Sequence, residues 1–155
     1  MKRTAVCAFI DTEFTNLDVD REDTRLLEVS CICCDKQLNE INRINVVISC
    51  PDVMDRLTDV WARNTHMKTD LTDECMASTT TIEDADNLIS MNIKHAMSHV
   101  GGNCTVYMCG NSPMLDRILI KKFMPKTNAM LAYQMIDYTS LFFAYLFADR
   151  RIPKC

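Results

Sequence analysis

A single α/β domain is the fold class that this sequence of 155 residues predicts, and three observations carry the prediction. Strand-like apolar runs at Ala5–Ile10, Leu26–Cys34 and Glu40–Ser49 follow one another through short polar links, the pattern of an antiparallel meander. After Pro51 the apolar residues switch to helical spacing. From Cys104 to Ala148, strand-like and helix-like runs alternate. The length suits one domain spanning residues 1–155, and 48% hydrophobic with 25% charged residues is ordinary globular composition.

The first run, Ala5 to Ile10, is almost continuously apolar and predicts a strand buried on both faces, with Asp11 and Glu13 emerging at its end. Two residues apart, these acids share one face of an extended chain. Carboxylates held that close repel unless a proton or a cation lies between them, and magnesium or manganese takes such oxygen ligands. Leu26–Cys34 and Glu40–Ser49 complete the meander, with residues 35–39 as the link. Pro51 to Ala62 predicts one helix with Asp52 as its cap and Val53, Leu57, Val60 and Trp61 on its apolar face.

Asn64-Thr65-His66 reads as a link to a short helical piece around Leu71. Thr80 or Thr81 then caps a helix with Ala85, Leu88, Ile89, Ile93, Ala96 and Met97 inward, stopped by Gly101-Gly102. Cys104–Cys109 is a strand, and Gly110-Asn111-Ser112-Pro113 turns into a helix with Leu115, Ile118, Leu119 and Phe123 inward, Ser112 suiting its cap. Asp116 lies one helical turn on, near the end of that strand. Leu131–Ile136 is the last strand and Tyr138–Ala148 the last helix. That helix is apolar all round, so its second face needs a cover, either a partner subunit or more chain.

A net charge of -4 provides no basic footprint for wrapping duplex nucleic acid, although a short oligomer held through metals needs none. The nine cysteines are odd in number and fall mostly in apolar runs, the usage of reduced thiols. With no signal peptide and no run able to span a bilayer, the expectation is a soluble protein of the cytoplasm or another reducing compartment. His95, His99, Cys104 and Cys109 have zinc-like order, but an odd separation sends the two cysteines to opposite faces of one strand, so no zinc is expected.

In collinear order the chain resembles the oligoribonucleases, the small-substrate branch of the DEDD exonuclease superfamily. Phe9-Ile10-Asp11-Thr12-Glu13-Phe14-Thr15-Asn16-Leu17-Asp18 matches their first motif, followed by Arg25-Leu26-Leu27-Glu28-Val29. Trp61 with Thr65-His66, the stretch 68–80, Cys109-Gly110-Asn111-Ser112 with Asp116 and Arg117, Lys122-Phe123-Met124-Pro125, and Tyr133 with Asp137-Tyr138-Thr139-Ser140-Leu141 continue the match.

The resemblance implies a ribonuclease H-like exonuclease fold, with a mixed central sheet flanked by helices, and 3′-5′ hydrolysis of very short RNA to nucleoside 5′-monophosphates. It also implies that Asp11, Glu13 and Asp116 hold two Mg2+ or Mn2+ ions. Leu17 would wedge between bases, Trp61 and His66 would wall a dinucleotide pocket, Ser112 and Thr139 would cap the 5′ phosphate, and Tyr133 would be lent across a homodimer.

The family's last motif, a His followed five residues later by an Asp on a C-terminal helix, has no counterpart after His66, His95 or His99, and Gln134 replaces an expected phosphate-gripping arginine. Loss of a positioned general base lowers rate by about 10²- to 10⁴-fold, and three carboxylates hold a second ion less well than four. Glu28 and Asp137 are candidate substitutes, but Glu28 belongs rather to the packing and turn network of the second strand and Asp137 to the cap of the last helix. The alternative expectation is therefore a catalytically impaired dimeric binding module that keeps the short-oligonucleotide pocket.

Overall fold

The computed structural model describes residues 4–148, apart from the side chain of Trp61. Strands β1 (Thr4–Phe14), β2 (Leu26–Cys34) and β3 (Glu40–Val47) form the expected antiparallel meander. Strands β4 (Cys104–Gly110) and β5 (Leu131–Asp137) add in parallel on the other side of β1. Among the described residues the result is one mixed sheet in the order β3-β2-β1-β4-β5, with β1 at its centre. The α/β expectation is met.

The alternation of side chains divides this sheet into unlike faces. Val6, Ala8 and Ile10 of β1, with Val29, Cys31 and Cys33 of β2, pack against Ile89 and Ile93 of helix α4 (Ile82–His99) and Leu119 and Ile120 of α5 (Met114–Phe123). The opposite face carries a small cluster of Cys7, Cys34 and Cys109 with Ile32 and Tyr107, and Phe9 there is 38% exposed. Strand β1 is thus not buried on both faces, because the described helices that pack on it crowd one side and leave the other open. Cys104 joins the helix-side core and Cys109 the open-face cluster, as their odd separation predicts.

A second correction concerns where the two acids stand. Pairing of β1 with β4 ends at Phe9↔Cys109, but pairing with β2 continues through Asp11↔Ser30 and Glu13↔Glu28. Asp11 and Glu13 therefore lie inside a long strand, beyond the end of its parallel neighbour, and they share the open face.

The predicted helix over Pro51–Ala62 is two helices, α1 (Val53–Arg56) and α2 (Val60–Lys68). Asp59 causes the break, since its carboxylate accepts from the Ala62 N–H at 2.8 Å and begins a new helix that takes in residues 64–66. Val60 is consequently 72% exposed instead of facing inward. Asp52 makes no cap bond and pairs with Arg56 at 2.6 Å. Helix α3 (Leu71–Ala77) supplies the short helical piece.

Thr81 caps α4 through a reciprocal box with Asp84, and Gly101 and Gly102 end it with φ of +104° and +82°, a region open to glycine. Leu88 and Ile118, expected inward, are partly solvent-facing, while Ile120 is fully buried. Helix α6 (Pro125–Met130) was not foreseen. Buried Asp86 of α4 accepts from the Lys126 and Thr127 N–H groups at its first turn, pinning α6 to α4. Helix α7 (Tyr138–Phe147) has no buried residue, so neither of its faces is covered by the described residues.

Candidate active site

Three segments meet where β1 outruns β4. Asp11 and Glu13 come from β1, and Glu28 stands directly opposite Glu13 on β2. Asp116 comes from the first turn of α5, reached through the Gly110–Pro113 turn. That turn is tight: a Cβ on Gly110 would lie 3.0 Å from the Pro113 Cβ, and Ser112 takes a left-handed φ of +55°. Ser112 is not the helix cap, a position held by Pro113. The turn swings Asp116 back onto β1, where its Oδ1 accepts from the Thr12 N–H at 2.9 Å and the Thr12 hydroxyl at 2.7 Å. Asp116 thereby satisfies a strand-edge donor that β4 no longer reaches.

The carboxylates sense one another. Burial, then the charges of Asp116 and Glu28, raise the Asp11 carboxyl above its usual range. Burial raises Glu13 as well, against a lowering contribution from His66, with further upward pressure from Asp11, Glu28 and Asp116. Desolvated oxygen donors pressed together without a counter-charge are the donor chemistry that hard divalent cations suit. Among the described residues, however, no three His, Cys, Asp or Glu side chains form a ready cage around one point. Asp116 Oδ1 is bonded to Thr12, which leaves Oδ2 as its oxygen for an ion.

Beside these acids lies a cavity of about 150 Å³ with Phe9, Ile32 and Cys109 against Asp11, Asn111 and Asp116. That is smaller than the 300–1,000 Å³ typical of a small-molecule site, so a dinucleotide slot is not preformed there as one cavity. A separate cavity of about 290 Å³ adjoins Asn16, Leu17 and Thr58.

His66 is buried in α2 and reaches the acids rather than a pocket wall. Its Nε2 lies 3.3 Å from the Phe14 carbonyl oxygen, which can only accept, so Nε2 carries the proton. Its Nδ1 is 3.7 Å from Glu13 Oε2. Ser112 and Thr139 are brought together at 3.0 Å. Thr139 donates its own proton to Asn111 Oδ1, which makes Ser112 the donor of that bond. Asp137 organises the pair, accepting from the Ser112 N–H, the Thr139 N–H and the Ser140 hydroxyl while capping α7. These bonds hold its carboxyl below the usual range, and its expected role as cap is met.

Leu17 and Tyr133 join neither group. Leu17 is 61% exposed in a loop whose neighbours Thr15, Asn16 and Val19 are buried. Tyr133 is 85% exposed on β5, two strands from Asp11. The Trp61 side chain lies outside the described residues. Sequence reasoning missed Thr12 as the anchor of Asp116, and it raised Glu28 only as a substitute acid, not as the residue facing Glu13. The strand register would have exposed Glu28, since a hairpin pairing Asp11 with Ser30 must set Glu13 opposite it. Glu28 is also bonded by Asn45, so its expected packing role holds beside this electrostatic one.

The exonuclease family model (RNase T) matches residues 8–151. An oligoribonuclease from Aromatoleum aromaticum is 33% identical over 135 residues, 86% of this chain and 70% of that protein. One from Chromobacterium violaceum is 34% identical over 134 residues, 86% and 71% of the two chains. A probable oligoribonuclease from Drosophila melanogaster is 32% identical over 138 residues, and this chain spans 61% of its length.

Proposed function

Because the chain belongs to the oligoribonuclease family of exonucleases, hydrolytic exoribonucleases with a ribonuclease H-like fold, we propose that it removes nucleotides from the 3′ end of very short RNA. Dinucleotides are the foremost substrate and nucleoside 5′-monophosphates the products. The observation that carries this reading is the approach of Asp116 from α5 to a strand that presents Asp11 and Glu13 on one face, where burial first and the neighbouring carboxylates after it raise each of the two strand acids.

Asp11, Glu13 and Asp116 would hold two divalent ions, Mg2+ or Mn2+, which when bound activate water and steady the charge on the leaving oxygen. Thr12 fixes the Asp116 carboxylate, and the buried His66 ring stands beside Glu13, its Nδ1 3.7 Å from Oε2. Ser112 and Thr139 would turn their hydroxyl protons from each other and from Asn111 to a terminal phosphate, and exposed Leu17 offers an apolar edge for a base. The eight cysteines among the described residues are free thiols, which suits a reducing compartment such as the cytoplasm. Among those residues, no helix is long and apolar enough to cross a membrane.

A labelled diribonucleotide with Mn2+ is expected to yield nucleoside 5′-monophosphate. No turnover above buffer, with the dinucleotide still bound in calorimetry, would overturn the nuclease reading in favour of a binding module. The same reading takes the protein as a homodimer, because uncovered α7 and outward Tyr133 leave a large apolar surface for a second copy. Light scattering should then report about twice the 17.8 kDa of one chain. A monomer mass at micromolar concentration sinks that part.

A further inference from the structure

The loop that exposes Leu17 is tied at its base, on one flank and at its far side. At the base, the Thr15 N–H donates to the Arg25 carbonyl at 3.0 Å, and the Arg25 N–H donates to Thr15 Oγ1 at 2.9 Å. On one flank, the Thr58 hydroxyl donates to Asn16 Oδ1 at 3.1 Å. On the far side Lys122 Nζ donates to the Val19 carbonyl at 2.7 Å and to the Arg21 carbonyl at 3.1 Å, beside the core-buried Val19 side chain and a longer bond from Arg56 to the Asp23 carbonyl at 3.4 Å. Lys122 stands in the last turn of α5, the helix whose first turn carries Asp116, about 9 Å further along its axis. The neighbouring Phe123 ring, with its centroid 5.2 Å from Nζ, limits the ammonium's swing.

We propose that Lys122 is a positioning residue that locks the Leu17 loop to the helix presenting Asp116, setting the distance between a base held on Leu17 and a phosphate held at the acids. The inference rests on the nuclease reading above. One rigid helix thus carries two tools: an acid at its start and a loop clamp at its end. Without the ammonium, the Val19 and Arg21 carbonyls lose that donor and the loop loosens locally about the buried Val19 side chain, while Asp11, Glu13 and Asp116 keep their places. The loss should fall on substrate capture rather than on the chemical step.

The test compares the whole chain with Lys122→Met, which keeps the stem and removes the donors, and with Lys122→Arg, which keeps donors and charge. With a labelled diribonucleotide and Mn2+, Lys122→Met is expected to raise KM roughly three- to tenfold, the lower range because the ammonium is partly solvated. Its kcat should stay within about twofold of the parent value, Lys122→Arg should recover most of the KM, and amide exchange across residues 16–24 should quicken only in the Met variant. An unchanged KM, or a parallel fall in kcat that Arg does not rescue, overturns the inference and leaves the nuclease reading standing. Absence of turnover in the parent chain removes that reading and the inference with it.

Discussion

Asp11→Asn is expected to lower release of nucleoside monophosphate by about 10³-fold or more, because one carboxylate in a site of this kind supplies several kcal/mol of charge stabilisation. The same change is expected to raise the unfolding midpoint of the metal-free protein. Both directions follow from one fact: the Asp11 charge sits where burial, Asp116 and Glu28 all oppose it. An amide of the same shape removes that repulsion and also removes a ligand. Activity and stability should therefore move in opposite directions, the signature of a functional rather than a structural acid. Hydrolysis within tenfold of the parent, or a midpoint that falls, contradicts the assignment. Steady-state kinetics on a diribonucleotide and calorimetry in EDTA measure the two quantities on one preparation.

How much of this was legible beforehand depends on the range of the interaction that decides each feature. Apolar runs between polar links located every strand, and the spacing of Asp11 and Glu13 placed both acids on one face, since these are properties of neighbouring residues. The helix break at Asp59 was not visible, because a carboxylate cap competes locally with an apolar pattern that continues across it. Nor was α6, whose first turn is held by a buried acid forty residues earlier, Asp86.

The site divides in the same way. Asp116 could be placed at a strand-helix junction, but its grip on Thr12 depends on β1 extending past β4, a length that only sheet pairing decides. His66 reads as a loop residue in sequence; inside α2 it is buried against the Phe14 carbonyl and Glu13. The tie from Lys122 to the Leu17 loop spans about a hundred residues and has no local signature at all.

Divalent metal is expected to stabilise the protein strongly at pH 7 and negligibly near pH 4, and the sign follows from the two strand acids. A carboxyl whose value is raised on folding binds more protons in the native than in the unfolded chain, over the interval between the two values. Stability contributed by Asp11 and Glu13 therefore falls as pH climbs from the ordinary carboxylate range, about 4, through their raised values, and the full penalty is present above them. Asp137, held low by its hydrogen bonds, acts in the opposite sense, adding stability that is lost on acidification. The whole-protein profile mixes these slopes, so the informative quantity is the shift produced by metal at each pH.

Mg2+ or Mn2+ at a hundred times its dissociation constant should contribute about 2.7 kcal/mol at pH 7, a rise in Tm of roughly 5–10 °C for a domain of this size. Near pH 4, below the raised values of Asp11 and Glu13, these two carboxyls hold protons and the ion loses them as ligands. The double variant Asp11→Asn, Glu13→Gln should lose the shift at both pH values while unfolding at a higher temperature than the parent in EDTA. A shift of equal size in the double variant would move the ion elsewhere, and no shift with either cation at pH 7 would separate these acids from metal altogether.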